Sequence, residues 1–304
     1  MSQKNKLKLL FIINSSSGNN STDWETVVKD HSTTSSHIIE IQHLTKACTI
    51  QTIKDKINLF KPQQVIAVGG DGTVKFAAEC LIGQKIALGI LPAGSANGLA
   101  RELGIPNEHE KALDVLFQGN TKKIHAIRIN GHLCIHLSDI GLNAYAMKIF
   151  ESQRVRGMWG YFVAAIKVLW QNPVMEMKIE TPKEIVHLQA EMVVIANATK
   201  YGNGALINPI GQMDDKLFEV IAIKKISILA MLKVVFLNAT YDPEKTEILQ
   251  TNALSMKSTK KVHFQVDGEY LGKVKEVHAV IIPDALEVIV PASNEVLTDI
   301  IENT

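Results

Sequence analysis

The chain has 304 residues, 46% of them hydrophobic, and its 32 Lys and Arg against 31 Asp and Glu leave a net charge of +1. That length suits one large or two medium domains with a substantial core, and the hydrophobic share excludes a disordered chain. Near-neutral charge excludes a strong electrostatic footprint for nucleic acid, and three scattered cysteines (48, 80 and 134) exclude a disulfide framework, so a reducing cytoplasm is the expected compartment.

Residues 7–13 read as the first strand; the apolar run is short and passes straight into a polar Asn-Ser loop, which sets it apart from a secretory leader. Residues 14–23 form a Ser/Asn-rich loop that could lie over a nucleotide, 24–30 a helix and 37–42 the second strand. Residues 46–60 form a helix with Ile50, Ile53 and Ile57 in one stripe. The most informative segment follows, VIAVGGDGTVKFAAECLI at 65–82. Val65 to Val68 is an apolar run suited to a strand buried on both faces. Gly69, Gly70 and Gly72 let a ligand approach the main chain, and Thr73 opens a helix that buries Val74, Ala77, Ala78 and Leu81. Unpaired N–H groups and the dipole at such a helix start favour an anion. A carboxylate there repels phosphate unless a magnesium ion or a proton lies between, so Asp71 reads as a magnesium-linked or base residue; the plain alternative is an Asp-Gly turn.

A second turn of the same kind follows one strand later, LGILPAGSANGLARELGIP at 88–106. Its strand, 86–91, ends at Pro92. Ser95 can donate to a phosphate oxygen, Asn97 can fix the loop through its amide, and Leu99 to Leu103 begin a helix that stops before Gly104 and Pro106. Two such turns point to a nucleotide-dependent phosphoryl transferase. Strands and helices alternate to about 118, the pattern of a parallel sheet with flanking helices. After 123 short strand-like runs take over, at 124–129, 132–137, 174–180, 186–197, 217–224, 262–267, 276–282 and 286–290. Two apolar helices interrupt them, 158–170 and 226–238, each too short to span a bilayer and read as buried rather than membrane-touching. The tail, 293–303, reads as a docking helix. The expected boundaries are 1–123 for an α/β domain, completed by a helix at 292–304, and 124–291 for a second domain.

The GGDGT and GSANGLARELGIP segments resemble the diacylglycerol kinase catalytic family, which includes bacterial lipid kinases and sphingosine kinases; GGDGT alone is shared with NAD kinases and phosphofructokinases. LLFIINSSSG (9–18), SDIGLNA (138–144), ANATKYGNG (196–204), DDKLFEVI (214–221) and QVDGE (265–269) are similar to further landmarks, in the family's order. The resemblance implies an NAD kinase/diacylglycerol kinase-like fold. An α/β ATP-binding domain would be followed by a C-terminal β-sandwich that closes over a lipid site. It implies ATP and Mg²⁺, with Asn14, Ser17, Thr45, Gly69, Gly70, Gly72, Thr73, Ser95 and Asn97 along the nucleotide. Asp71, Asp267 and Glu269 would serve magnesium and hydroxyl activation, with either Asp71 or Asp267 as the base. Asp71, Asp214 and Asp215 are the candidate metal residues. The implied partners are a lipid substrate and, transiently, a membrane surface, with no nucleic acid and with a homodimer left open.

The sequence departs from the family pattern at several places. Lys75 and Phe76 stand where Asn-Glu is usual, Gly98 and His125 where Asp is usual, and Asp215-Lys216 where Asp-Gly is usual. The missing aspartates weaken the expected aspartate–water–magnesium network, for which Asp139 is a substitute. Lys75 reads as a solvated helix residue. Asp214 and Asp215 read equally as an exposed acidic turn, and Asp267-Gly268 as a plain hairpin turn. His132, Cys134 and His136 alternate along one strand face, read as a polar face rather than a metal site, and His136 and Asp139 are placed at the cleft edge. The leading function is an ATP-dependent kinase for diacylglycerol or a related long-chain alcohol. The rivals are an NAD kinase and a nucleotide- or lipid-binding protein that has lost catalysis.

Overall fold

The computed structural model describes residues 6–15, 17, 22–34, 37–152, 167–168, 174–201, 204–227 and 242–292. They fall into two compact units, one reaching Ile124 and resuming at Asp284, the other running His125–Pro283. The expected helices at 158–170, 226–238 and 293–303 lie outside the described residues, but for Lys167, Val168 and the residues at 226–227.

The first unit alternates strand and helix: β1 (Lys8–Ile13), α1 (Trp24–Thr34), β2 (Ile38–His43), α2 (Ile50–Phe60), β3 (Gln64–Gly69), α3 (Asp71–Leu81), β4 (Ala87–Pro92), α4 (Gly98–Glu102) and α5 (His109–Gln118). The strands pair in parallel in the order β2-β1-β3-β4, and Glu287 and Val288 add a further parallel partner beside Ala87 and Leu88. The continuous apolar runs account for this. Leu9 to Ile13 and Val65 to Val68 are all buried, as strands covered on both faces require. Helix α2 starts at a capping box in which Thr49 and Thr52 exchange bonds, and it stops at a left-handed Lys61 before Pro62. Helix α3 begins at Asp71 rather than at Thr73, because the Thr73 and Val74 N–H groups both bond Gly70 O, which makes Gly70 the cap. Because β2 and β3 flank β1 on opposite sides, the strand order reverses there, and ligands of such sheets sit at the carboxyl ends of the strands.

The second unit carries β5 (Asn120–Ile129, from His125 on), β6 (His132–Cys134), β7 (Leu137–Gly141), α6 (Leu142–Ser152), β8 (Met175–Glu180), β9 (Ile185–Ala190), β10 (Met192–Ala196), β11 (Phe218–Ile223), β12 (Thr246–Thr251), β13 (Ala253–Val266) and β14 (Glu269–Val290, to Pro283). It is an antiparallel sandwich. β12, β11, β10, β7 and the end of β13 form one run; the start of β13 pairs β8, which pairs β9. Residue alternation sorts two cores. Val193 and Ile195 of β10 and Phe218 and Val220 of β11 join Met256 and Phe264. Their neighbours Met192, Val194, Ala196, Ile221 and Ile223 face the other way and pack with Leu142 and Ala146 of α6.

Several expected boundaries change. The runs 276–282 and 286–290 are one strand, β14, while 186–197 is two, broken at Glu191, whose N–H bonds Ile223 O. β13 starts nine residues before the expected 262, and β12 and α6 were not expected. The alternation of His132, Cys134 and His136 fails. The strand stops at Cys134 and bends at 135–136, so the three do not share a polar face: His132 is exposed while Cys134 and His136 are buried.

Candidate active site

The two glycine turns are adjacent in the first unit. β3 and β4 pair in register to Gly69 and Pro92, and Ala93 N–H donates to Gly69 O at 2.9 Å. The loops beyond touch so closely that a Cβ on Gly94 would overlap Gly70 Cα, and one on Gly70 would lie 3.1 Å from Gly94 Cα. A Cβ on Gly72 would meet nothing within 4 Å. The first two glycines are thus needed for packing, and Gly72 leaves open space at the head of α3.

Polar side chains fix these loops. Asn97, in the left-handed conformation, clamps Gly94 from both sides: Oδ1 accepts Gly94 N–H and Nδ2 donates to Gly94 O, each at 2.9 Å. Asn14 donates through its N–H to Val68 O and through Nδ2 to Thr73 Oγ1, tying the end of β1 to the first glycine turn. Asp71, half-buried, accepts the Leu99 N–H at 3.2 Å and so caps the helix of the second turn with the carboxylate of the first.

A cavity of about 760 Å³ opens at the carboxyl ends of β1, β2 and β4. Of the expected nucleotide residues, Asn14, Ser17, Ser95 and Asn97 line it; Gly69, Gly70, Gly72, Thr73 and Thr45 do not. Thr45 is exposed, and both its N–H and its hydroxyl lie 3.5 Å from Cys48 Sγ, bonds that lower the pKa of that thiol. Sequence reasoning missed Trp24, Glu25, His43, Arg101, Asn107 and His109 in the wall. Trp24 and His109 pair their rings at 4.5 Å, and Glu25 takes bonds from Lys29 and from His43, which hold its carboxyl below the usual range. No local motif marks these residues; only the parallel pairing of β1, β2 and β4 brings them to one end of the sheet. Lys75 is half-buried rather than fully solvated.

In the second unit the QVDGE segment is both a hairpin and a polar knot. Asp267 (φ 49) and Gly268 (φ 82) form the two-residue turn between β13 and β14, with Val266 opposite Glu269. The Asp267 carboxylate accepts the N–H groups of Ile135, His136 and Leu137 at 3.0–3.2 Å, and Asp267 N–H donates to Leu137 O. These bonds explain the bend at 135–136. Glu269 is exposed at the start of β14. Asp139 does not edge a cleft: it is fully buried, with Asn143, Gln265 and Tyr201 donating to Oδ2, and burial pushes its carboxyl up to about 6. His136 is likewise buried.

His125, where the family carries Asp, is buried and holds the 213–216 turn: its N–H donates to Met213 O, and Nε2 accepts Lys216 N–H at 2.5 Å. Asp215 accepts Leu217 N–H at 2.9 Å, and Asp214 is exposed. Among the described residues no group of three His, Cys, Asp or Glu is gathered as a metal cage needs. The chemistry of Asp71, one half-exposed carboxylate at a helix start, suits a Mg²⁺ that brings its own phosphates.

An α/β unit with paired glycine turns, followed by an antiparallel sandwich, is the fold of the NAD kinase/diacylglycerol kinase superfamily. The model of the diacylglycerol kinase catalytic domain matches residues 8–129, and that of the YegS C-terminal NAD kinase beta sandwich-like domain matches 138–290. The chain belongs to the diacylglycerol kinase family and is a kinase of that family. It is 28% identical over 245 residues to an uncharacterized protein of Synechocystis, a match covering 76% of this chain and 55% of that one. It is 24% identical over 217 residues to a diacylglycerol kinase of Staphylococcus aureus, covering 69% of each. A putative diacylglycerol kinase from Bacillus anthracis has the same fold, with a TM-score of 0.75 at 18% identity over 95% of this chain and all of that one. An NAD kinase from Archaeoglobus fulgidus in complex with ATP is more distant, with a TM-score of 0.52 at 10% identity over 92% of this chain and 93% of that one.

Proposed function

We propose that this chain is an ATP-dependent lipid kinase that phosphorylates the hydroxyl of diacylglycerol or a related long-chain alcohol. The observation that carries the reading is the pair of interlocked glycine turns beside a polar cavity at the strand ends of the first unit. Such turns offer main-chain N–H groups to phosphates. Asn14, Ser17, Ser95 and Asn97 orient the nucleotide from the cavity wall. Mg²⁺, bound with the nucleotide near Asp71, would neutralise charge on the phosphates. The acceptor hydroxyl oxygen forms the new bond to the γ-phosphorus, the bond from that phosphorus to the β-bridging oxygen breaks, and the hydroxyl proton passes to a carboxylate. Hydrogen bonding supports Asp71 in that role over Asp267, since three backbone N–H groups already occupy the Asp267 carboxylate. The lipid belongs to the second unit in this reading, and the enzyme visits a membrane surface from the cytoplasm to reach it. Among the described residues no helix is long and apolar enough to cross a membrane.

The test is phosphoryl transfer by the parent, Asp71→Asn and Asp267→Asn to dispersed diacylglycerol with ATP and Mg²⁺. Asp71→Asn should lower kcat by about 100-fold or more with ATP affinity nearly kept, the scale of a lost general base. Unchanged turnover in that variant removes Asp71 from the chemistry.

A further inference from the structure

We infer that Asp139 is a positioning residue for the Asp267-Gly268-Glu269 turn, acting through the Gln265 side chain; this rests on the proposed kinase reading and on the role in hydroxyl activation that the family resemblance implies for that turn. Asp139 sits on β7 directly across from Gln265 on β13. Both are buried, with Leu137, Ile140 and Phe264 as apolar neighbours along the same strands. A carboxyl in such surroundings costs stability, so the position calls for a use.

Its bonding supplies one. Donors from three places in the chain converge on a single oxygen, Oδ2: Asn143 from α6, Gln265 at 2.5 Å from β13, and the Tyr201 hydroxyl at 3.2 Å from the loop between β10 and β11. The other oxygen, Oδ1, is buried with no side-chain donor among the described residues, and the Ala144 N–H also bonds to the carboxyl. A carboxylate accepts and cannot donate, so it fixes which way the Gln265 amide points. Nε2 faces Asp139, and Oε1 is left to accept the Gly268 N–H at 2.7 Å. An apolar residue at 139 would remove the bias and let the amide turn its NH₂ toward the Gly268 N–H, donor against donor. The Gln265 main chain is held as well, by the Ser138 hydroxyl at 2.5 Å from its carbonyl oxygen.

The turn is thus gripped from both sides. Asp267 is anchored by the amides of 135–137, and Gly268 by Gln265 under the direction of Asp139. Two consecutive left-handed residues are the turn geometry that Asp-Gly itself favours, and the side-chain bonds fix that turn against β7 and the 135–137 segment. What the grip sets is the position of Glu269, the first residue of β14.

Three full-length variants test this: Asp139→Leu removes the acceptor, Asp139→Asn keeps one, and Gln265→Met keeps the length of the side chain without its polar atoms. Amide exchange of the 266–270 segment should rise about tenfold in Asp139→Leu and Gln265→Met, as local opening becomes easier, and stay near parental in Asp139→Asn. In the same variants kcat should fall about 10- to 100-fold with KM for ATP within about twofold, the signature of a misplaced group rather than lost nucleotide binding. Parental exchange of the turn in Asp139→Leu or Gln265→Met overturns the inference, as does an Asp139→Asn as impaired as Asp139→Leu. Should Asp139→Leu not fold, Gln265→Met decides alone. A parent without lipid phosphorylation overturns the proposed function instead, and the exchange measurement still settles the role of Asp139.

Discussion

The glycine turns of the first unit and the DGE turn of the second are ordered by opposite means. In the first, the main chain is brought close by leaving side chains out: Gly70 and Gly94 meet backbone to backbone, and short polar side chains trim the loops. In the second, order comes from buried acceptors: Asp267 collects three amides and Asp139 collects three side-chain donors. A site for a flexible polyphosphate needs open N–H groups, whereas a turn that presents one carboxylate needs a fixed frame. The two should respond differently to substitution and to pH.

The largest contrast is between glycines of the first unit. Gly94→Ala drives a methyl into the Gly70 main chain, which has no rotamer to escape by, and should lower stability by about 3 kcal/mol in a denaturant titration. Gly72→Ala, facing open space, should leave stability within about 0.5 kcal/mol while weakening ATP binding. Equal losses of stability in both would mean the turns are not interlocked as described.

Asp139 gives the pH arm. Its folded value of about 6 lies above the ordinary aspartate value of 3.8, so the folded chain holds the extra proton between those limits and stability falls as pH rises through that window. The shift corresponds to at most about 3 kcal/mol, and Asp139→Asn, which cannot ionise, should recover much of it at pH 7 to 8 and nothing at pH 4. Thermal melts at the two pH values read this directly; a variant less stable than the parent at pH 8 would contradict the burial of an ionised Asp139.

Asp267→Asn should cost about 2 kcal/mol, because an amide NH₂ then faces backbone N–H donors. Glu269→Gln, at an exposed position, should leave the melting temperature unchanged. A small gain is expected at Lys216, which sits at φ 66 where the family has glycine; Lys216→Gly should stabilise by about 0.5–1 kcal/mol.

The same contrast explains what could be read from the sequence. The first unit was legible because its signals are local: an apolar run, a glycine turn and a helix stripe lie within about 18 residues of each other in both motifs. The alternation of the second unit's strands was legible in part, yet β13 and β14 ran longer than their apolar stretches, because long antiparallel partners carry exposed lysines and glutamates without breaking. The knot around Asp267 joins residues about 130 apart in sequence, and no spacing rule reaches that far. Asp139 drew notice as an acid near a motif, but its burial, and with it its part in holding the turn, depends on the β7–β13 pairing. The cavity wall at Trp24, His43 and His109 was missed for the same reason.

The central claim is that a family kinase with these interlocked turns phosphorylates a lipid. The most direct test supplies labelled ATP and Mg²⁺ with a mixed lipid extract, with NAD as acceptor in a parallel reaction. The account predicts label in an organic-soluble product, whose mass identifies the alcohol, and none in NADP. Label in NADP, or ATP bound with no transfer to either acceptor, would contradict it.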